Sequence, residues 1–427
     1  MSGVSTYVES YYSATAKGAK ERPALRGDTT CDVCVIGGGY TGLSAALHLA
    51  EKDYDVVLLE SERAGWGASG RNGGQLGSGQ RKGQDELVSL FGREEAQRLW
   101  DLAEESKALV KDLIRQHEID CDLKPGLLCC AHKPAHEAEL AEYAELLRRD
   151  YGYAHVRPVS RQEMSGMLGS TVYHGGILDS DAGHLHPLNY ALGLANACEA
   201  AGVRLYENTP ASGISSGAQT TVRTAGGVVK SRHIVIACNG YLGRLEPRIA
   251  GTIMPINNFV LATEPLGEEG ARALIRDDVG VFDTKFVVDY YRLSADQRLL
   301  FGGGETYRQS FPKDIAGFVR KCMLRVYPQL ADTRIDYAWG GTLAVTLNRL
   351  PAIGRLDGEI YYAQGFSGHG VALTSVAGKV IAEAIAGTAE RFDVFARIPK
   401  PKFPGGTLLR WPGLVLGMFY YSLRDKL

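Results

Sequence analysis

Six consecutive residues constrain this chain more than any others. Gly37-Gly38-Gly39-Tyr40-Thr41-Gly42 follow the apolar run 32–36 and open a segment where Leu43, Ala46, Leu47 and Ala50 recur at helical spacing. A G-x-G-x-x-G pattern at a strand-to-helix turn meets three demands. Gly37 permits the tight turn, Gly39 lets backbone approach a pyrophosphate, and Gly42 lets the helix pack close to the strand. The helix start then offers free N–H groups and a positive dipole end to phosphates. A second apolar run, Val56–Leu59, ends on Glu60, where a carboxylate can accept hydrogen bonds from an adenosine ribose. Strand, helix and strand in this order predict a βαβ unit on a parallel sheet and a dinucleotide ligand. Outside the glycine-rich stretch 64–75 the chain has no further G-x-G-x-x-G, so a second dinucleotide such as NADPH is not expected.

The stretch after the second strand separates FAD from NAD. Residues 64–75, Ala-Gly-Trp-Gly-Ala-Ser-Gly-Arg-Asn-Gly-Gly-Gln, are rich in glycine, which lets backbone lie flat against a large planar ligand. Ser69, Arg71 and Asn72 are placed to meet pyrophosphate or ring edges, whereas simple NAD dehydrogenases return to a helix here.

Bulk properties narrow the class. With 427 residues and 45% hydrophobic composition, the chain can bury a large core. At roughly 100–200 residues per domain it makes two or three domains. The 47 basic and 49 acidic residues leave a formal charge of −2, so nucleic acid is not an expected partner. Cysteines sit in apolar runs such as 127–130 and 235–238, as small buried hydrophobes do, and the expectation is a reducing, cytoplasmic setting. The start, 1–20, is polar and carries no signal-peptide core. The segment 411–423 is apolar and aromatic but too short to span a bilayer. It is expected to pack as a terminal helix, with membrane-surface or oligomer contact as the alternative. No oligomeric state is assigned.

Further along, 90–150 reads as helices around a strand at 126–131. Residues 189–201 read as a helix, and 203–206 and 233–238 as strands. The span 253–304 alternates and is rich in Tyr, Phe and Val, which suggests antiparallel strands. The residues 318–327 read as helical up to Pro328, with the start of that helix left open; 360–364 reads as a strand, 365–370 as a glycine-rich turn and 373–386 as an amphipathic helix. Nucleotide-binding-like pieces therefore stand at both ends of the chain. The expected architecture is α/β and α+β: a Rossmann-like FAD-binding domain interleaved with a substrate domain on a large antiparallel sheet. The assigned segments are an extended N-terminal arm (1–28), the FAD-binding domain (29–88, 186–248 and 338–398), the substrate domain (89–185 and 249–337) and a C-terminal tail (399–427).

The runs 31–44 (Cys-Asp-Val-Cys-Val-Ile-Gly-Gly-Gly-Tyr-Thr-Gly-Leu-Ser) and 67–75 (Gly-Ala-Ser-Gly-Arg-Asn-Gly-Gly-Gln) resemble the D-amino-acid oxidase superfamily of flavoproteins. Five further runs resemble the γ-glutamylputrescine oxidases within it: 11–14, 182–189, 289–293, 365–371 and 420–425. The resemblance extends from one end of the chain to the other. It implies FAD, oxidation of an amine to an imine that hydrolyses to an aldehyde, and reduction of molecular oxygen to hydrogen peroxide. The substrate it implies is putrescine blocked at one end by a γ-glutamyl group, in polyamine catabolism.

The cofactor-binding candidates in the first segment are Gly37, Gly39, Tyr40, Thr41, Gly42, Glu60 and Ser61. The glycine-rich stretch adds Ala68, Ser69, Gly70, Arg71, Asn72, Gly73, Gly74 and Gln75. Later segments add Ala211, Asn239, Gly240, Gly341, Gly365, Ser367, Gly368, His369, Gly370 and Val371. The turn 365–371 converges amides at a helix start, where they can stabilise negative charge on a reduced flavin. His369 is either part of that function, as an aid to flavin or oxygen chemistry, or a residue that holds the turn. Lys285 is a second catalytic candidate, as an oxygen-activating cation, against a plain surface lysine. Tyr290, Tyr291 and Trp339 are candidates for an aromatic slot around the amine. Arg292 is a candidate partner for the glutamyl carboxylate. His184 and His186 form H-x-H without a third ligand, so no metal is expected. Some relatives attach FAD through a histidine near the Arg71 region or a C-terminal cysteine. Residues 64–76 contain no histidine, and Cys322 is the only cysteine after Cys238, so FAD is expected to bind non-covalently. Two alternatives remain open: a D-amino-acid or glycine/sarcosine-type oxidase or dehydrogenase on the same fold, and a module whose flavin is structural.

Overall fold

A computed structural model describes residues 6–217, 219–305, 310–357, 359–407 and 410. The expected helix at 411–423 lies outside the described residues. Two sheets organise the chain. The first runs, in spatial order, Ala352–Leu356, Ile360–Gln364, Val228–Ile236, Thr29–Ile36, Val56–Leu59 and Arg204–Tyr206. Its centre is parallel, with Val35 beside both Leu58 and Val235. These strands read as near-continuous apolar runs because both faces are covered. The helices Tyr40–Ala50, Pro187–Ala200 and Gly370–Ile385 supply much of the core on one face. A second cluster, including Ile36, Leu59, Ile236 and Tyr362, fills the other.

The second sheet runs Ile335–Val345, Met254–Thr263, Leu299–Glu305, Tyr290–Leu293, Gly280–Asp283, Lys124–Cys130, Gly175–His184 and Gln75–Leu76, with Val156–Ser160 also on Gly175–His184. All pairs are antiparallel except Gly280–Asp283 with Lys124–Cys130. Residues 75–76 and 338–345, assigned from sequence to the FAD-binding segments, are strands of this second sheet. The chain passes between the two sheets several times, and the glycine-rich stretch ends as an edge strand of the second.

Residues 6–28 are not simply extended. Tyr11–Ala14 is a one-turn helix closed by a reciprocal Ser10–Ser13 capping box. Tyr12 is fully buried and packs edge-on against Trp339 with ring centres 5.0 Å apart. The arm is held by Tyr7 Oη donating to Ala64 O (2.8 Å) and Tyr11 Oη to Asp296 (2.7 Å), so it contacts residues next to both sheets.

Candidate active site

The glycine turn has the geometry its spacing demands. Gly37 has φ +112°, and a methyl group built on it would lie 2.7 Å from Ala237 O. A methyl on Gly42 would lie 1.9 Å from Gly37 O, so helix and strand are in backbone contact. Gly38 N–H donates to Glu60 Oε2 at 2.6 Å, while Glu62 N–H and the Ser61 hydroxyl reach Oε1 at 2.9 and 3.2 Å. Burial pushes the Glu60 carboxyl up, although these bonds favour its ionised form. Ala211 begins a strand two residues beyond Thr209, whose N–H donates to Glu60 O at 2.8 Å. The N-terminus of Tyr40–Ala50 lacks a side-chain cap from its N-cap residue Gly39. Ser69 Oγ instead accepts from Tyr40 N–H at 3.0 Å, and Thr41 is buried in the first turn.

Residues 68–75 wrap across the end of this turn. Ala68–Gly70 is a single 3-10 turn. Asn72 Nδ2 donates to Ala68 O and Ser69 O, and its Oδ1 accepts from Gly74 N–H at 2.7 Å, so Asn72 shapes the loop itself. Arg71 donates from Nε to Trp66 O at 2.7 Å, and its guanidinium lies 3.8 Å from the Trp66 ring centre. One buried guanidinium nitrogen of Arg71, Nη2, has no hydrogen-bond partner. Gly341 faces the Arg71 side chain across 3.1 Å, measured from a built methyl.

At the C-terminal end of the first sheet, Gly365 N–H donates to Asn239 Oδ1 at 2.9 Å, and Gly240 backs onto Thr342 O. Ser367 has φ +54°, a strained value for a non-glycine residue, held by Thr346 N–H donating to its Oγ at 3.2 Å. Gly368 is exposed, and Gly370 and Val371 start a 16-residue helix. The N–H groups of that first turn have no partners within the helix. His369 is the residue just before it. Its ring meets Gly77, where a built methyl would lie 3.0 Å from Cε1 and 3.6 Å from Leu127. His369 Nε2 is buried, and the polar groups next to the ring are the backbone of residues 77–79. Burial first, then the Arg81 charge, pushes this imidazole down to about 4, so the ring is neutral at pH 7.

The four aromatic and cationic candidates divide by face. Tyr290 lies against the FAD-side loop: a methyl on Gly73 would come within 2.6 Å of its ring, and its hydroxyl donates to Asn258. Tyr291 points the opposite way, as strand alternation requires. It stacks on Phe301 with ring centres 5.2 Å apart and planes at 6°, inside the second sheet's own core. Tyr291 is therefore a core residue and not part of this site. Arg292 shares the Tyr290 face but donates to Gly73 O (2.9 Å), Leu293 O (3.0 Å) and Tyr12 Oη (3.3 Å). That places it as a tie between the glycine loop, the sheet and the N-terminal arm, in place of a waiting carboxylate receptor. Trp339 is buried and donates from Nε1 to Arg71 O at 3.1 Å, supporting the loop from behind. Gln75 Nε2 donates to Val281 O at 2.7 Å, and Gly74 has φ +76° against Leu185 O.

Lys285 is not a free cation. Its ammonium lies 2.8 Å from Asp283 and 2.6 Å from Asp289. Burial lowers its pKa, but the two carboxylates outweigh that and leave it raised. Burial pushes Asp283 up to about 6. His186 caps its helix through Nδ1, which accepts from Asn189 N–H, and Nε2 faces Thr15 Oγ1 at 3.0 Å. His184 donates to Asp278 O at 2.8 Å. Both imidazoles are pushed down to about 3, mainly by burial.

A crowded glycine cradle, an unpartnered buried Arg71 nitrogen and an uncapped helix start at Gly370 fit a dinucleotide with a flavin ring. Residues 32–384 match the model of the family described as FAD dependent oxidoreductase. The chain belongs to that family. As an FAD-dependent oxidoreductase it is 44% identical over 422 residues to the gamma-glutamylputrescine oxidoreductase of Escherichia coli (strain K12), covering 99% of each chain. It is 25% identical to the glycine oxidase of Bacillus licheniformis, over 83% of this chain and 93% of that one. The crystal structure of glycine oxidase from Geobacillus kaustophilus superposes with a TM-score of 0.71 at 21% identity, covering 84% of this chain and 95% of that one. The fold is thus that of this oxidoreductase family, and FAD is its cofactor. Sequence reasoning did not single out Tyr12, Asn258 or the loop 77–79 as site residues. The glycines at 77 and 79, directly after Gln75-Leu76, were the available signal for the last.

Proposed function

We propose that this enzyme oxidises γ-glutamylputrescine at its primary amine, in polyamine catabolism. The carbon–nitrogen bond loses two electrons and two protons to give an imine. Water hydrolyses the imine to the aldehyde and ammonia, and molecular oxygen takes the electrons as hydrogen peroxide. The observation that carries this reading is the 44% identity that runs through 99% of both chains with the enzyme named for that substrate. FAD, when bound, supplies the two-electron acceptor.

The chain's own residues favour this chemistry in three ways. Gly37–Gly42, Glu60 and Arg71 are the groups that would hold the cofactor's phosphates and ribose. The His369 ring beside them is uncharged. The burial and the Arg81 charge that keep this ring neutral also disfavour an ammonium beside it and so support a free amine. Tyr290, fixed by Asn258, offers an aromatic wall next to Gly73. Non-covalent attachment is part of the reading: Cys322 lies in the second sheet's core beside Met323 and Val326, away from the loop. The eight free cysteines suit a reducing, cytoplasmic compartment. Among the described residues no helix is long and apolar enough to cross a membrane.

The test mixes purified holoenzyme with γ-glutamylputrescine without oxygen and follows the flavin band, then admits air. Bleaching followed by reoxidation with one peroxide per aldehyde is the expected result. Bleaching that persists in air means another electron acceptor, and no bleaching sinks the substrate. Acid precipitation that leaves flavin in the supernatant checks the non-covalent attachment.

A further inference from the structure

The loop that presses on His369 has little of its own to hold it in place. Gly77, Ser78 and Gly79 carry no apolar side chain to bury, and Gly79 sits at φ +67° against the Trp100 ring. Polar bonds anchor it instead. Gly79 N–H donates to Glu104 Oε1 at 3.0 Å, and Ser78 Oγ to Asp179 Oδ2 at 2.6 Å. At the centre lies Lys107, from the helix Arg93–Gln116, only 1% exposed. Its ammonium has four oxygens around it: Ser78 Oγ at 2.7 Å, Tyr153 Oη at 2.8 Å, Glu104 Oε2 at 2.7 Å and Asp181 Oδ2 at 2.8 Å. Tyr153 Oη donates its own proton to Asp179 Oδ1 at 2.6 Å.

We propose that Lys107 is a positioning residue, clamping the 77–79 loop beneath the His369 ring and so fixing that imidazole at the start of the Gly370–Ile385 helix. The proposal rests on the reading of His369 as part of the flavin-side site. A buried ammonium is costly, and here two carboxylates and two hydroxyls from separate segments offset that cost. The same helix also grips the Gly370–Ile385 helix: Ser106 Oγ donates to Ala372 O and accepts from Val376 N–H, and Glu105 pairs with Lys379 at 3.1 Å. Helix 93–116 therefore sets both the loop under the ring and the helix that follows it. The charged group facing the ring is Arg81, from the continuation of the loop itself.

The test is a histidine-labelled NMR titration of the holoenzyme, with the His369 signal assigned by His369→Asn. In the wild type His369 stays neutral down to about pH 4. In Lys107→Met and in Tyr153→Phe the loop loosens, water reaches the ring, and the midpoint rises by about one unit or more towards the ordinary ~6.5. With the amine, kcat falls about ten-fold and KM stays within about two-fold, as for lost transition-state positioning. If the midpoint in a folded variant stays within about 0.3 unit of wild type while only thermal stability falls, Lys107 is framework and the proposal is overturned. Tyr153→Phe keeps every charge in place and decides between the two outcomes if Lys107→Met does not fold. The titration needs no substrate, so it tests Lys107 whether or not γ-glutamylputrescine is the amine oxidised.

Discussion

Replacing Gly42 by alanine tests the nucleotide-binding turn at its tightest point. The added methyl would lie 1.9 Å from Gly37 O and 3.1 Å from the Gly37 carbonyl carbon. An ordinary C–H···O approach is about 3.3 Å, so strand and helix must part by roughly 1.4 Å. Neither neighbour is a flexible side-chain tip: the obstacle is backbone, and the helix behind it is buried along most of its length. Overpacking of this kind costs typically about 1–3 kcal/mol, and a backbone clash belongs at the upper end. At ~2.1 cal/mol/K per residue, 3 kcal/mol spread over a chain of this length lowers Tm by about 3 °C. The larger effect is on the ligand. A helix start displaced by more than an ångström no longer aims its N–H groups at the pyrophosphate, and the FAD Kd is expected to rise at least about ten-fold, or ~1.4 kcal/mol. Titration of FAD into apoprotein, followed by flavin fluorescence, measures this directly. Gly270→Ala, on the helix Gly267–Leu274 with its nearest neighbour a side-chain carbon at 3.3 Å, is the control and leaves the titration unchanged. A Gly42→Ala protein with wild-type Kd and Tm would refute the idea that backbone contact here sets the site.

Arg71→Lys loses the bond to Trp66 O and the stacking on its ring, because an ammonium cannot reproduce a planar fork; FAD affinity is expected to drop about ten-fold, measured in the same titration. Lys285→Met leaves Asp283 buried without its cation and Asp289 with only Arg325, at 3.8 Å, which is expected to cost up to about 3 kcal/mol; calorimetry shows the loss, while an unchanged rate of reoxidation in air excludes Lys285 from oxygen chemistry. His184, His186 and His369 all have folded pKa values depressed by burial, to about 3, 3 and 4. The unfolded chain therefore binds more protons, and the stability they contribute is complete above about pH 6.5 and is lost as pH falls through the folded values. Tm is expected to decline over that window, and His186→Asn, which keeps a capping side chain, makes the decline shallower.

The sequence alone determined what depends on near neighbours. The run from Asp32 to Glu60 names its own strand, turn, helix and second strand, because glycine spacing and apolar periodicity act over a few residues. The strands Val56–Leu59 and Ile360–Gln364 have the bounds that their apolar runs indicated. Other features belonged to the tertiary structure. Alternation says that Tyr290 and Tyr291 face opposite ways, but not which of them meets the glycine loop; only the pairing of Tyr290–Leu293 beside Gly73 decided that. Lys285 and Arg292 look like waiting cations in the sequence. Their partners, at 283 and 289 for the one and at 12 and 73 for the other, take them out of that role once packing brings them together. The same holds for Lys107, whose oxygen partners come from residues 78, 104, 153 and 181. A buried charge has to be satisfied wherever the chain crosses, and those crossings leave no periodic trace in the sequence.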